Sequence, residues 1–215
     1  MRVKGNYVLK REVLFCKETY TLQEALDHLN KTGYRCVPVL DEKEEMFLGN
    51  IYKVDVLEYK GSLDDNVKEL LRNKDGYVKE DSSFLKVFFT IKELPYISVV
   101  NDNGIFLGIL THKKVFELLE DAWGLHSSKY SVMIGTQDYN GAIQKLSTVL
   151  KKYSGIQSLM TFDNKALYVR RIMFTLGEEF ATEELQTLLT DLEYYGFRVI
   201  HVEEMKNSRE VEIVE

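Results

Sequence analysis

Phe47-Leu48-Gly49-Asn50-Ile51-Tyr52-Lys53-Val54-Asp55-Val56-Leu57-Glu58 returns, at an offset of 59, as Phe106-Leu107-Gly108-Ile109-Leu110-Thr111-His112-Lys113-Lys114-Val115-Phe116-Glu117. A repeat of this length sets the architecture of both copies at once, ahead of any local propensity. Each copy opens on a strand at its Phe and passes into a helix, which Val54-Asp55-Val56-Leu57 begins in the first.

Upstream of the first copy, Val13-Leu14-Phe15-Cys16 predicts a short buried strand. Thr21-Leu22-Gln23-Glu24 has the form of a capping box, in which hydroxyl and carboxylate each satisfy a free backbone donor. Leu22, Ala25, Leu26 and Leu29 then fall on one helical face, and Gly33 supplies a stop. Val37-Pro38-Val39-Leu40 predicts a strand, with Pro38 at an edge or end because it cannot donate to a ladder. Ser62-Leu63-Asp64-Asp65 predicts a further helix start, with Leu63, Val67, Leu70 and Leu71 as its apolar face and Gly76 as its C′ residue.

The second copy repeats these signals. Phe84, Val87, Phe88 and Ile91 reproduce the face of Leu22, Ala25, Leu26 and Leu29 at offset 62. Ile97 and Val99 reproduce Val37 and Val39 at offset 60. Length changes therefore fall between elements, and each unit reads β-α-β-β-α. From Tyr130 the pattern changes: Tyr130–Gly135, Ile156–Phe162, Ala166–Thr175 and Phe197–Val202 predict strands. Ile143, Leu146, Leu150 and Tyr153 mark one helix, and Leu185, Leu188, Leu189 and Leu192 mark another that Gly196 closes. The order βαββαβ is ferredoxin-like. The expected fold is α+β: a repeat pair over 1–124 (about 1–60 and 61–124), a linker at 125–129, a ferredoxin-like domain over 130–202 and a charged tail over 203–215. Val211, Ile213 and Val214 leave either a short strand or a loose end open in that tail.

Composition narrows the function classes. A net charge of −6 over 215 residues argues against a broad nucleic-acid surface. No apolar run reaches the ~20 residues of a membrane helix. The first seven residues lack the apolar core of a signal peptide, so a cytoplasmic location is expected. Cys16 and Cys36 have no CxxC spacing, and reduced structural thiols are expected. His28, His112, His126 and His201 form no HExxH pair and no zinc-spaced cluster, and neither a GxSxG elbow nor a GxxxxGK[ST] loop occurs. No enzyme, metal or cofactor is expected.

With the repeats laid out, residues 1–123 resemble a tandem pair of CBS domains. The residues that carry this are Thr21-Leu22-x-Glu24-Ala25-Leu26, Val37-Pro38-Val39, and the two Phe-Leu-Gly strands followed by Tyr52-x-x-Asp55 and Thr111-x-x-Lys114. Residues 130–202 resemble an ACT-like domain, with Asp138-Tyr139-Asn140-Gly141 at the loop-to-helix start. The combination is similar to the cyclic-di-AMP-binding CBS–ACT proteins of Gram-positive bacteria. The resemblance implies an adenine nucleotide in a cleft of the CBS pair, a homodimer and a separate protein target for a non-catalytic sensor.

The family pattern Gly-x-x-Thr-x-x-Asp gives a phosphate a hydroxyl at a helix start, and gives a ribose diol a carboxylate. This chain departs from it in both copies: Tyr52 replaces the Thr of the first, and Lys114 the Asp of the second. A cation beside Thr111 and His112 suits a second phosphate better than a diol, and cyclic di-AMP has no free diol. The candidate ligand residues are Thr111, His112, Lys114, Arg35, Pro38, Tyr96, Lys79, Tyr52 and Asp55. Each has a plainer alternative: solvated charge for Lys113 and Lys114, an N-cap for Thr111, packing for Tyr52 and Tyr96, a helix-start acid for Asp55. Asp138 and Gly141 are read as helix capping or, alternatively, as an amino-acid site. AMP, ATP or S-adenosylmethionine at the CBS pair are the competing ligands.

Overall fold

The structure, a computed structural model, describes residues 2–137, 140–153, 155–164 and 169–205. It divides into two compact units, Met1–Phe116 and Glu117–Glu215. The first carries β1 (Val8–Leu9), β2 (Cys16–Lys17), α1 (Leu22–Thr32), β3 (Cys36–Leu40), β4 (Phe47–Tyr52) and α2 (Lys53–Glu58). After these come β5 (Tyr77–Lys79), α3 (Phe84–Thr90), β6 (Tyr96–Val100), β7 (Phe106–Thr111) and the start of α4 (His112–Ala122). From β2 onward this is β-α-β-β-α twice, as the repeat requires.

The reasons lie in the residues. Thr21 and Glu24 form both bonds of the capping box, and Gly33 ends α1 in the left-handed conformation at φ 74°. Leu22, Ala25, Leu26 and Leu29 are buried against Val37, Val39, Ile51 and Val56. Burying one such aliphatic side chain contributes roughly 1.5–3 kcal/mol. In the second repeat Phe84, Val87, Ile91, Ile97 and Val99 are likewise buried.

The two sheets run β2-β3-β4 and β1-β7-β6-β5. Both repeats carry an irregularity at the same place, between Val39 and Leu40 and between Val99 and Val100. The motif strand of each is flanked by a segment from outside its own β-α-β-β-α unit. Val8–Leu9 pairs with β7, and Arg72 bridges to Asn50 on β4. This explains the repeated glycine: a Cβ at Gly49 would lie 2.9 Å from the Arg72 carbonyl oxygen, and one at Gly108 would overlap that of Val8. The repeated Phe serves the join, since the Phe47 and Phe106 rings stack at 6.3 Å.

Four expectations are corrected. Pro38 lies in the middle strand of its sheet, not at an edge. It is tolerated because β2 pairs only with Val39 and Leu40, so Pro38 faces a ladder partner, Asn50, on one side alone. Residues 62–71 form only a single 3-10 turn, Val67–Leu70. Their backbone is engaged elsewhere: the Leu63 and Asp65 carbonyls accept from the Gln23 and Leu22 N–H groups, and Val67 N–H donates to Tyr20. Leu63, Val67, Leu70 and Leu71 still face the core. Gly76 is not a helix C′ residue; a Cβ there would meet the Asn73 carbonyl oxygen at 2.8 Å. The strand expected at Val13–Cys16 is shorter and later, with Leu14 exposed.

The second unit continues with β8 (Ser128–Thr136), α5 (Ala142–Leu150), β9 (Ile156–Asn164), β10 (Val169–Gly177), α6 (Leu185–Tyr194) and β11 (Arg198–Glu204). Its sheet order, β11-β8-β10-β9 with every neighbour antiparallel, is that of a ferredoxin-like fold. Val132, Ile134, Ile172 and Phe174 pack against Leu146, Val149, Leu188 and Leu192. On α5 the buried face includes Ala142 and Val149, while Ile143 is 45% exposed. Within the stretch expected as a linker, the strand already begins at Ser128, and Leu125 and Ser127 close the end of α4 through bonds to Glu120 and Gly124. Asp138 and residues 206–215, with the possible strand at 211–214, lie outside the described residues. No helix among the described residues is long and apolar enough to cross a membrane.

Candidate functional site

The antiparallel pairing of β3 with β4 and of β6 with β7 brings strand starts and strand ends together. Cys36 faces Tyr52 in the first repeat, and Tyr96 faces Thr111 in the second. Most of the sequence-predicted residues therefore collect at this one end of the sheets.

In the first half, Tyr52 precedes α2 and its hydroxyl donates to Asn73 Oδ1 at 2.7 Å. Asp55 lies in the first turn of α2, where a carboxylate suits the free N–H groups. Its Oδ1 is 2.7 Å from Arg72 Nη2, its side chain is only 8% exposed, and Oδ2 is buried with no partner. Arg35 is exposed, and its carbonyl accepts from Lys53 N–H at 2.9 Å. Arg72 and Asn73, which clamp this half, carry no signal in the sequence. They follow from the pairing of Arg72 with Asn50, made by N–H to carbonyl bonds in both directions at 2.7 and 2.9 Å.

The second half is built differently. Thr111 ends β7 immediately before α4, an eleven-residue helix, and its Oγ1 accepts from Lys114 N–H at 3.2 Å. That is N-capping geometry, and it leaves the hydroxyl proton available to an acceptor. His112 is exposed, with Nδ1 donating to the Pro95 carbonyl at 3.1 Å. His112, Lys113 and Lys114 thus open α4 together, where free N–H groups already favour an anion.

Tyr96 joins the halves. It is buried, and its hydroxyl donates to Asn50 Oδ1 at 2.8 Å. Cys36 Sγ lies 3.7 Å from the same hydroxyl. Burial pushes the Cys36 thiol up to about 11 and the Cys16 thiol up to about 12, so both are free, protonated thiols at neutral pH. Burial also raises Tyr52 to about 12.

Two candidates stand apart from the rest. Lys79 is paired with Asp102 at 3.0 Å and sits beside Val100, four residues along β6 from Tyr96. At roughly 3.3 Å per residue that is about 13 Å from the Thr111 end. Pro38 is buried beside Asn50 in mid-strand and offers an apolar wall only. In the second unit Gly141 precedes α5 in the left-handed conformation at φ 78°, without a side-chain cap.

Beside these residues lies an open cavity of about 440 Å³, lined by residues 73–76 with Phe89, Thr90, Glu93 and Leu94. Its size falls within the range of small-molecule pockets. Asn73 ties it to Tyr52, and Leu94 precedes Pro95, the acceptor for His112. Among the described residues, no three His, Cys, Asp or Glu side chains are grouped to hold a metal ion.

Among curated proteins none matches the chain. Solved structures do. CbpB in complex with c-di-AMP aligns at 18% identity and a TM-score of 0.51, over 56% of this chain and 85% of that one. A CBS domain pair/ACT domain protein from Thermotoga maritima aligns at 23% identity and 0.50, over 57% and 98%. A hypothetical conserved protein from Geobacillus kaustophilus aligns at 29% identity and 0.50, over 56% and 96%. They share the fold. The family model for the CBS domain matches residues 5–62 and again 67–121, which are the two repeats. With more than half of its length so matched, the chain belongs to the CBS domain family.

Proposed function

We propose that this protein is a non-catalytic cytoplasmic sensor of an adenine nucleotide, cyclic di-AMP above others, bound at the second half of the CBS pair. It acts as a homodimer and passes the bound state to a separate protein target. One observation carries the reading: the two halves have diverged electrostatically. In the first, the Asp55 carboxylate is held by Arg72 and the Tyr52 hydroxyl by Asn73. In the second, Thr111, His112, Lys113 and Lys114 open an eleven-residue helix with hydroxyl, imidazole and two ammonium groups. That set suits phosphodiester oxygens and offers no carboxylate for a ribose diol. The crystal structure of CbpB with c-di-AMP, on the same fold, supports the ligand class.

Regulation then needs only that ligand and target each favour one arrangement of the protein, so that each alters the affinity for the other. The location is tested by Lys114→Ala and Thr111→Ala, with cyclic di-AMP affinity as the readout. Loss of one charge-assisted phosphate bond weakens binding by roughly 1.5–3 kcal/mol. Unchanged affinity in Lys114→Ala overturns the placement.

A further inference from the structure

Three of the chain's six methionines stand in one row across the sheet of the second unit. Met173 on β10 is paired with Met133 on β8 to one side and with Met160 on β9 to the other. Side chains alternate across a strand, so directly opposed residues share a face. Val132, Ile134, Ile172 and Phe174, the chain neighbours of Met133 and Met173, pack towards α5 and α6. The methionines therefore occupy the face that the helices leave uncovered, and all three are half-buried there.

The sheet does not ask for thioethers at these positions, since strands favour β-branched and aromatic residues. Nor do the methionines belong to a wider apolar patch. The next row on the same face is Ser131, Thr175 and Ser158, all buried. The Ser158 and Thr175 hydroxyls bond each other at 3.0 Å, and Thr175 also donates to the Trp123 carbonyl at 3.4 Å. The row beyond the methionines holds Arg171 and Phe162, with the guanidinium carbon 5.9 Å from the ring centroid. A line of three sulfurs thus runs between a row of hydroxyls and a cation–π pair.

Thioethers are neutral and weak as hydrogen-bond acceptors, but they are soft ligands that select Cu(I) over harder divalent ions. The spacing suits one ion. Each flanking thioether must lean roughly one strand spacing, about 4.8 Å, to meet an ion above Met173, and a metal–sulfur bond of about 2.3 Å covers half of that. The unbranched side chain, turning about three bonds, covers the rest. The charges on this face come from both signs: Arg171 lies against Phe162, and the register sets Glu203 of β11 opposite Ser131. His201, opposite Met133 on β11, is two strand spacings from Met173 and so outside this set.

We propose that the helix-free face of the second unit binds a soft monovalent cation, Cu(I), through the sulfurs of Met133, Met173 and Met160, with Met173 at the centre. The site is independent of the nucleotide reading.

The test titrates the full chain, labelled with carbon-13 at its methionine methyl groups, with Ag(I) as a probe for Cu(I). The Met133, Met160 and Met173 methyl resonances should move together and stop at one equivalent, while those of Met46 and Met205 stay in place. Zn(II) should move none of them. Met173→Leu keeps volume and apolar surface and should weaken Ag(I) binding by more than about 10-fold, the low end of what a lost supporting group costs a metal site. Met160→Leu, on the edge strand, should do the same, whereas His201→Ala should leave the affinity unchanged. Methyl resonances that do not respond to Ag(I) overturn the proposal. So does Ag(I) affinity that survives in both methionine variants, which would place the ion elsewhere, at the Cys16 or Cys36 thiol for example. The same shifts with Zn(II) would overturn the selection for a soft ion. Each of these results leaves the nucleotide reading standing.

Discussion

Asp55 Oδ1 and Arg72 Nη2 lie 2.7 Å apart, joining a carboxylate that is 8% exposed to a guanidinium that is 64% exposed. The pair holds the segment after the first repeat against the start of α2, where Asp55 Oδ2 already lacks a partner. Removing Arg72 strands a nearly buried carboxylate. Arg72→Ala should therefore destabilise the protein by about 1–3 kcal/mol in urea titrations. Asp55→Asn with Arg72→Ala should cost less than the two single changes summed, because the pair is coupled. Strict additivity would show that the contact carries no stability.

Gly108 answers to a different constraint. The Val8 carbonyl packs where its Cβ would be, so Gly108→Ala must push β1 off β7. A loss of roughly 2–4 kcal/mol is expected, in the range of severe backbone effects. Because Thr111 ends the same strand, nucleotide affinity should fall with it. Removing residues 2–9 should mimic the change, and a Gly108→Ala protein of parental stability would refute the close approach.

Acid stability offers a check on the second unit. Lys152 and the Tyr153 hydroxyl both bond Asp191 Oδ2, at 2.8 and 3.0 Å, and hold its carboxyl below the usual carboxylate range. A depressed folded-state pKa contributes stability that is present above the unfolded value, near 3.9, and is lost as pH falls through the folded one. Asp191→Asn should thus be less stable than the parent at pH 6, with the gap narrowing below about pH 4. A gap that stays constant from pH 6 to pH 2.5 would contradict this.

Much of the fold is legible in the sequence because the repeat doubles every signal. The faces Leu22-Ala25-Leu26-Leu29 and Phe84-Val87-Ile91 turn inward as their spacing requires. What is not legible depends on backbone partners far along the chain. Residues 62–71 carry helical spacing, yet their carbonyls cap α1 instead. Val8–Leu9 is too short to announce a strand and is ordered by β7, about a hundred residues later. At the site, Thr111, His112 and Lys114 stand out from the repeat by mismatch. Arg72 and Asn73 do not, because their role comes from a crossing that no local pattern encodes. Lys79 illustrates the converse: a suggestive cation that the register sets beside Val100, away from Thr111, and that is paired with Asp102.

A second half of the CBS pair built as proposed recognises a phosphate-rich adenine ligand without a free diol. Isothermal titration of the full chain with cyclic di-AMP, AMP, ATP and S-adenosylmethionine tests it most directly. Cyclic di-AMP is expected to bind most tightly of the four, and Lys114→Ala to weaken it selectively. Tighter binding of AMP, ATP or S-adenosylmethionine would contradict it.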